Sequence, residues 1–215
     1  IVRRVDQWGV QETRASGGNP LPTVGPVKGQ ILEDLVAKEK PMLIVDIGSF
    51  VGYSAIRMAR RQPRGGLTVT IEKSLRWHLT SKRFVWQARL WQQYPWEPQP
   101  EQKVVNIFGD ALEKLRDVAD EYGPADLIFI DGAIGEYAQY IKQCEEGGLV
   151  REGTLVVADN ILTFSSFDGI KDYVKHTEGG GYESERVPCT LEYRDDTPDE
   201  MLMSRRVAPV SVTSS

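Results

Sequence analysis

The stretch that decides the fold is MLIVDIGSFVGYS, residues 42–54. Its first half is a nearly continuous apolar run interrupted only by Asp46, which is typical of a strand buried on both faces of a sheet. Gly48 and Gly52 then permit a tight turn in which a ligand can approach the backbone. The turn lacks the G-x-G-x-x-G fingerprint of dinucleotide-binding oxidoreductases. The stretch therefore predicts a buried strand, a ligand-binding turn and a helix, in that order.

Outward from this stretch, apolar runs alternate with amphipathic stretches. The predicted strands are 42–47, 67–71, 104–108, 126–130 and 154–158. The predicted helices are 27–38, 53–61, 74–92, 111–122, 137–146 and 167–176. Residues 183–193 and 201–207 are predicted as an antiparallel C-terminal hairpin with an acidic turn at 195–200. This alternation predicts an α/β fold with a doubly wound, mostly parallel seven-stranded sheet.

Length and charge limit the function classes. The 215 residues fit a single domain, 1–215, in which the polar residues 1–25 are expected to form an arm or lid. The net charge of −5 disfavours a nucleic-acid partner, which would need a basic face. No apolar run approaches the roughly 20 residues that span a bilayer, so no membrane partner is expected. Cys144 and Cys189 match no metal or redox spacing, which favours a reducing, cytoplasmic location.

Side chains at the ends of the first three predicted strands indicate a nucleoside-bearing cofactor, because ligands bind beyond the carboxyl ends of strands in such sheets. Glu72 ends the second strand, where a carboxylate can accept both ribose hydroxyls. Asp110 and Ala111 follow the third strand, where a short turn can border an adenine ring. Taken singly, a glycine turn and a surface acid are ordinary features, and only their joint placement carries the prediction.

Polar side chains also follow the fourth and fifth strands. Asp131 ends one strand, and Asp159 and Asn160 end the next. Two carboxylates and one amide oxygen at one sheet edge would form an incomplete cage of the kind that a catalytic Mg²⁺ occupies. The other interpretations are a turn at Asp131 and a helix cap at Asn160. With only two histidines in the chain, a histidine-built zinc site is not expected.

Several segments resemble catechol O-methyltransferases, members of the class I, Rossmann-like methyltransferases. They are GPVKGQI (25–31), DIGSFVGYSAIRMAR (46–60), residues 126–131, residues 147–160 and LEY (191–193). The resemblance covers roughly residues 25–193. It implies methyl transfer from S-adenosylmethionine to a hydroxyl of a small catechol-like substrate, with Mg²⁺, or Mn²⁺ in its place, as the metal.

The resemblance also implies roles for individual residues. The cofactor-binding residues would be Val24, Gly48, Phe50, Tyr53, Ser54, Glu72, Asp110, Ala111 and Asp131. The metal ligands would be Asp131, Asp159 and Asn160, and the substrate contacts Asn160, Glu192, Ala133 and Phe164. Glu192 is also the candidate catalytic residue, a role that comes from the family alone.

The chain departs from the family at four positions. Ile134 stands where the family has its catalytic lysine, and Ala133 replaces the tryptophan before it. Pro20 aligns near a tryptophan that walls the substrate ring, and Phe164 stands at a wall proline. An insertion at 86–99 adds Trp86, Trp91, Tyr94 and Trp96. These aromatic side chains are expected either to pack against a helix or to form a substrate lid. Because the lysine is missing, the alternative function is a catalytically silent relative that binds the cofactor or a partner.

Overall fold

The computed structural model describes residues 1–92 and 96–209, which form one seven-stranded sheet flanked by helices. The strands are β1 (Leu43–Ile47), β2 (Leu67–Glu72), β3 (Lys103–Phe108), β4 (Leu127–Ile130), β5 (Leu155–Ala158), β6 (Tyr182–Leu191) and β7 (Arg194–Arg206). The helices are α1 (Val2–Ala15), α2 (Gly25–Glu39), α3 (Tyr53–Ala59), α4 (Leu75–Gln87), α5 (Ala111–Tyr122), α6 (Tyr137–Gly147) and α7 (Asp168–Gly179).

The strand order is β3-β2-β1-β4-β5-β7-β6. The first five strands are parallel, and β7 runs antiparallel to both β5 and β6. The predicted doubly wound, mostly parallel sheet with an antiparallel C-terminal hairpin is therefore confirmed. The order reverses between β1 and β4, and such a switch point is where parallel α/β sheets bind ligands.

Strand β1 forms the centre of the core because its side chains alternate between the two faces of the sheet. Val45 and Ile47 pack in one cluster with residues of α5, α6 and α7. Ile44 packs in the other, with residues of α1, α2 and α3. Every residue of β1 is buried, as the apolar run predicts. Asp46 is the one acid in this strand and is fully buried.

The structure differs from the predicted elements at three places. Residues 2–15 form helix α1, whereas the sequence predicted only an arm, because its polar composition hides a short buried stripe at Val5, Gly9 and Thr13. Helix α4 ends five residues earlier than predicted. The predicted acidic turn at 195–200 is wrong: these residues lie in β7, and the turn is at 192–193. The pairing of β6 with β7 continues through the acidic stretch, in which Asp195 and Asp196 are exposed and Asp199 is buried.

Among residues 1–92 and 96–209, no helix combines the length and apolarity needed to cross a membrane.

Helix α1 packs against the domain at the point where the C-terminal hairpin turns. A Cβ atom added at Gly9 would lie 2.1 Å from the Tyr193 ring, so the ring sits directly on the helix backbone. Tyr193 in turn hydrogen-bonds Thr23 through its hydroxyl at 2.8 Å. The N-terminal helix and the hairpin turn thus brace one another.

We expect Gly9→Ala to destabilise the protein by about 1–3 kcal/mol, the usual cost of overpacking a tight contact. The added methyl group must displace the Tyr193 ring, with which it would collide. Urea unfolding measures the change. Gly179→Ala is the matched control, because nothing lies within 4 Å of a Cβ added there. Equal stability of the two variants would contradict the packing described for α1.

Candidate active site

A cavity of about 670 Å³ lies at the carboxyl ends of the parallel strands. Its lining includes residues that follow each of the first five strands, together with the turn of the hairpin. These residues are Gly48, Glu72, Gly109, Asp131, Asn160 and Glu192. The cavity therefore joins the predicted cofactor positions to the predicted metal and substrate positions.

The turn after β1 is held close to the end of β4. Gly48 has a φ of +100°, and a Cβ added there would lie 2.2 Å from the carbonyl oxygen of Asp131. No other residue fits this position, because a side chain would collide with backbone and the left-handed conformation would be strained. The Gly48 N–H donates to the carbonyl of Ile71 at 3.1 Å, which ties the turn to β2 as well.

Two backbone N–H groups hold the carboxylate of Glu72 in place at the cavity. One carboxylate oxygen accepts a hydrogen bond from the Phe50 N–H at 2.8 Å, and the other accepts from the Ser74 N–H at 2.7 Å. Each carboxylate oxygen has a second acceptor position. The carboxylate is therefore oriented and still able to accept hydroxyl groups from a ligand in the cavity.

Three residues expected along the cofactor line a small recess beside the glycine turn instead of the main cavity. Val24, Tyr53 and Ser54 border this recess together with Gly48 and Asp131. The Tyr53 hydroxyl points away from the ligand space and donates to Asp6 of α1 at 2.5 Å.

Ser54 holds the buried acid beneath the turn. Its hydroxyl is 3.3 Å from both carboxylate oxygens of Asp46, and Thr70 donates to the same carboxylate at 2.8 Å. Complete burial raises the pKa of Asp46 to about 7, although both hydroxyl donors act in the opposite direction. Ser54 thus supports the turn from below, where its side chain is buried.

The residues after β3 and the helix after β2 also contribute to the cavity, the latter with an aromatic ring. Ala111 lines the cavity, and the Asp110 carboxylate caps α5 by accepting from the Leu112 N–H at 3.0 Å. The Trp77 ring also lines the cavity and lies 4.4 Å, centroid to centroid, from the ring of Phe50. Sequence analysis missed Trp77. Its position in the first turn of the helix after β2 could have revealed it, because that helix begins at the ligand-binding edge of the sheet.

A buried ion cluster lies beside the predicted metal site. Lys28 of α2 is completely buried, and its ammonium group is 2.8 Å from Asp159 Oδ1 and 2.7 Å from Asp199 Oδ2. It also forms an ion pair with Glu192. Sequence analysis missed both Lys28 and Asp199. Lys28 lies within the GPVKGQI segment, but Asp199 had been placed in a turn and gave no signal.

The charges in this cluster do not balance. Burial alone lowers the pKa of Lys28, but the neighbouring carboxylates outweigh it and hold that pKa above its usual value. Burial raises the pKa of Asp131, and the charges of Asp159 and Glu192 raise it further. The single ammonium therefore faces more negative charge than it can neutralise. The cluster favours the approach of another cation.

The predicted metal ligands have free oxygen atoms. Asp159 Oδ2 is buried and has no hydrogen-bond partner among the described residues, although Oδ1 is paired with Lys28. The Asn160 amide nitrogen donates to Glu192 at 2.9 Å and to Asp199 at 3.0 Å, which leaves its oxygen as an acceptor. Asp131 follows Ile130, the residue paired with Ala158 just before Asp159, so the two acids leave adjacent strands side by side. This donor set fits a hard divalent cation.

The substrate half of the cavity has apolar walls. Ala133, Ile134 and Phe164 line it, as does Pro20 from the segment before α2. The Ile134 side chain packs partly buried against the core, so the family's lysine position holds no titratable group. Of the insertion, Trp91 packs against a small apolar cluster that includes Ile56 and Val104, and Trp86 lies at the end of α4. Residue 94 lies outside the described residues.

We expect Lys28→Met to destabilise the protein by about 3–5 kcal/mol, because removing one partner of a buried ion cluster leaves carboxylates without compensation. Thermal or urea unfolding measures the effect. Lys38→Met is the control on the same helix, since that side chain is 81% exposed. A loss equal to that of the control would show that Lys28 does not hold the cluster together.

Curated relatives share the sequence over most of the chain. Catechol O-methyltransferase of Bos taurus is 29% identical over 196 residues, which are 90% of this chain and 65% of that protein. The enzyme of the same name from Mus musculus is 28% identical, over 79% of this chain and 60% of its own length. The transmembrane O-methyltransferase homolog of Mus musculus is 26% identical over 99% of this chain and 74% of its own. The chain thus spans under two thirds of the first two proteins.

Solved structures share the fold. An O-methyltransferase from Bacillus cereus in complex with SAH superposes with a TM-score of 0.74 at 23% identity, over 96% of this chain and all of that one. The O-methyltransferase TomG from Streptomyces achromogenes in complex with SAM gives 0.73 at 22% identity, over 94% and 89%. The profile of the O-methyltransferase family matches residues 10–177. Since this match covers well over half of the chain, and the relatives include catechol O-methyltransferases, the chain belongs to the O-methyltransferase family that its sequence resembled.

Proposed function

We propose that the protein transfers a methyl group from S-adenosylmethionine to one hydroxyl of a small catechol-like substrate held at Mg²⁺. The observation that carries this proposal is the single cavity that connects Glu72 and the glycine turn with Asp131, Asn160 and Glu192. Family membership supports the reaction type, and structures with the same fold are described with SAH or SAM bound.

In this proposal Glu72 binds the ribose hydroxyls, and the backbone turn at Gly48 binds the amino-acid end of the cofactor. Ala111 and Trp77 border the adenine, since both line the cavity and belong to the helices that follow β3 and β2. Methyl transfer is an in-line displacement, so much of its rate derives from alignment of the reacting oxygen with the methyl group. The fixed turn and the anchored carboxylate supply that alignment.

Asp131, Asp159 and Asn160 would hold the metal. Their free oxygens and the excess negative charge of the cluster support this assignment. A divalent cation bound there would lower the pKa of a coordinated substrate hydroxyl. The apolar walls at Ala133 and Phe164 would keep the substrate ring oriented and exclude water.

We propose that Glu192 contacts the substrate's second hydroxyl and is the first side chain to test as a proton acceptor. Its Oε1 atom accepts from both Lys28 and Asn160, which fixes the carboxylate at the cavity wall. No described residue donates to Oε2. The geometry therefore leaves one carboxylate oxygen for the second hydroxyl of a catechol. Ile134, in contrast, offers no proton acceptor.

The absence of a lysine at position 134 favours one second candidate, a silent relative that binds S-adenosylmethionine without turnover. Transfer of tritium from labelled S-adenosylmethionine to a panel of catechols, with and without Mg²⁺, distinguishes the two. Labelled product supports the proposed function. Cofactor binding by calorimetry without any labelled product would support the silent relative.

We expect Glu72→Gln to weaken binding of S-adenosylmethionine by about 10- to 100-fold, because hydrogen bonds to a charged group contribute roughly 1.5–3 kcal/mol. Calorimetry measures the affinity, and circular dichroism confirms that the variant is folded. Glu146→Gln, an exposed substitution on α6, is the control. Unchanged affinity would remove Glu72 from the cofactor site.

We expect chelator-treated protein to lose methyl transfer and to regain it with Mg²⁺, and with Mn²⁺ as a substitute. Asp131→Asn should lower Mg²⁺ affinity, measured by calorimetry, together with activity, because it removes a charged oxygen ligand. The control is Asp172→Asn on the exposed face of α7. Full activity after chelation would refute the metal assignment while leaving the methyltransferase assignment intact.

Because Ile134 cannot accept a proton, we expect turnover of simple catechols to be slow near neutral pH and to rise with pH. Catechols with electron-withdrawing groups should react faster than electron-rich ones, since their hydroxyls are more acidic. Ile134→Lys should raise the neutral-pH rate, toward the 10² to 10⁴ that general-base catalysis typically supplies, if the apolar wall admits the charge. A flat profile from about pH 6 to 9 would identify another base, with Glu192 first to be tested.

A further inference from the structure

The outward face of α4 carries large apolar side chains. Leu75, Leu79, Lys82 and Trp86 follow one another at helical positions i, i+4, i+7 and i+11, so they form one stripe along the helix. Leu75 is 55% exposed, Leu79 56% and Trp86 38%. We refer to these four residues, with the neighbouring Arg76 and Arg83, as the α4 face.

The inner side of the same helix packs against the domain, where Trp77 and Phe84 lie partly buried against apolar clusters. The residues that α4 buries are His78, Ser81 and Val85. Ser81 accepts a hydrogen bond from the Asn106 amide of β3 at 2.6 Å, so the buried contact is specific. Leu75 and Leu79 lie on the other side of the helix and remain more than half exposed. Contiguous exposed apolar surface of this kind marks a site of interaction.

The charge around this stripe differs from that of the rest of the chain. Residues 73–96 contain five basic residues and no acidic one, although the chain as a whole carries a net charge of −5. The next acid, Glu97, accepts a hydrogen bond from Trp86 at 3.0 Å. The five are Lys73, Arg76, Lys82, Arg83 and Arg89. All are exposed, and none forms an ion pair with a carboxylate in the described part of the chain. Their charge is therefore available to an external partner.

We propose that the α4 face docks on the surface of a membrane that contains anionic lipids. A stripe of leucines and a tryptophan flanked by lysine and arginine is what an interfacial helix needs: the apolar side chains enter the headgroup boundary, and the cations meet lipid phosphates. The sequence-based expectation of no membrane partner considered only spanning segments, which are far longer and more apolar.

The other occupants fit less well. A nucleic acid would attract the cations but would gain little from Leu75 and Leu79, which contact no phosphate. A second copy of the chain, paired through the same face about a twofold axis, would bring Lys82 and Arg83 close to their own equivalents. An anionic bilayer matches both the apolar and the basic component. Trp77 on the same helix lines the cavity, so the docked face would lie beside the cavity mouth.

Sedimentation of the intact chain with vesicles tests this inference. We expect binding to vesicles of phosphatidylcholine and phosphatidylserine, with little binding to phosphatidylcholine alone. Lys82→Gln should weaken it about fivefold, the effect of one basic residue near an anionic surface. Leu79→Ser should weaken it at least about tenfold, because a leucine then no longer leaves water.

Matched substitutions elsewhere on the surface serve as controls. Lys175→Gln removes an exposed charge on α7, and Met42→Ser removes an exposed apolar side chain before β1. Both should bind vesicles as the parent chain does. Equal binding to neutral and anionic vesicles, no binding to either, or equal losses in test and control variants would overturn the proposal. A dimer in lipid-free solution that Leu79→Ser dissociates would assign the face to a second copy instead.

Discussion

The interaction on which the rest of the active site depends is the buried ion cluster around Lys28. Its ammonium group joins the end of β5 at Asp159, the hairpin turn at Glu192 and strand β7 at Asp199. These three carboxylates come from separate parts of the chain and would repel one another without it. The enclosed lysine holds all three carboxylates together, with Glu192 at the cavity wall and Asp159 Oδ2 left without a hydrogen-bond partner among the described residues.

Close packing of two backbone segments determines the shape of the proposed cofactor half of the cavity. The glycine at position 48 lets the turn after β1 approach the backbone of Asp131 closely. The same turn delivers the Phe50 N–H to the carboxylate of Glu72. One backbone conformation thus determines both the shape of the ligand space and the orientation of an acid on the next strand. Helix α1 braces the opposite side through Tyr193, next to Glu192.

The substrate half of the cavity has apolar side chains on one part of its lining and carboxylates on another. Ile134 and Phe164 supply apolar surface, and the carboxylates with Asn160 supply the polar edge. The chain thereby retains the family's architecture while losing one of its titratable groups.

The sequence by itself determined the parallel sheet, its C-terminal hairpin and the positions of Gly48, Glu72, Asp131 and Asp159. Periodicity and strand-end placement are local properties, and the carboxyl ends of parallel strands necessarily meet at one edge of the sheet. The resemblance added Glu192 as a candidate, which no spacing revealed.

Only the tertiary structure decided which distant groups meet. The sequence separation between Lys28 and Asp199 carries no information about their contact, because that contact forms where α2 packs against the β6–β7 hairpin. Helix α1 went unpredicted for the same reason: its buried stripe has meaning only against Tyr193. The outward leucines of α4 likewise emerge only once the fold shows which side of the helix is covered. Patterns in a sequence report what a segment does locally, whereas partners distant along the chain are selected by packing.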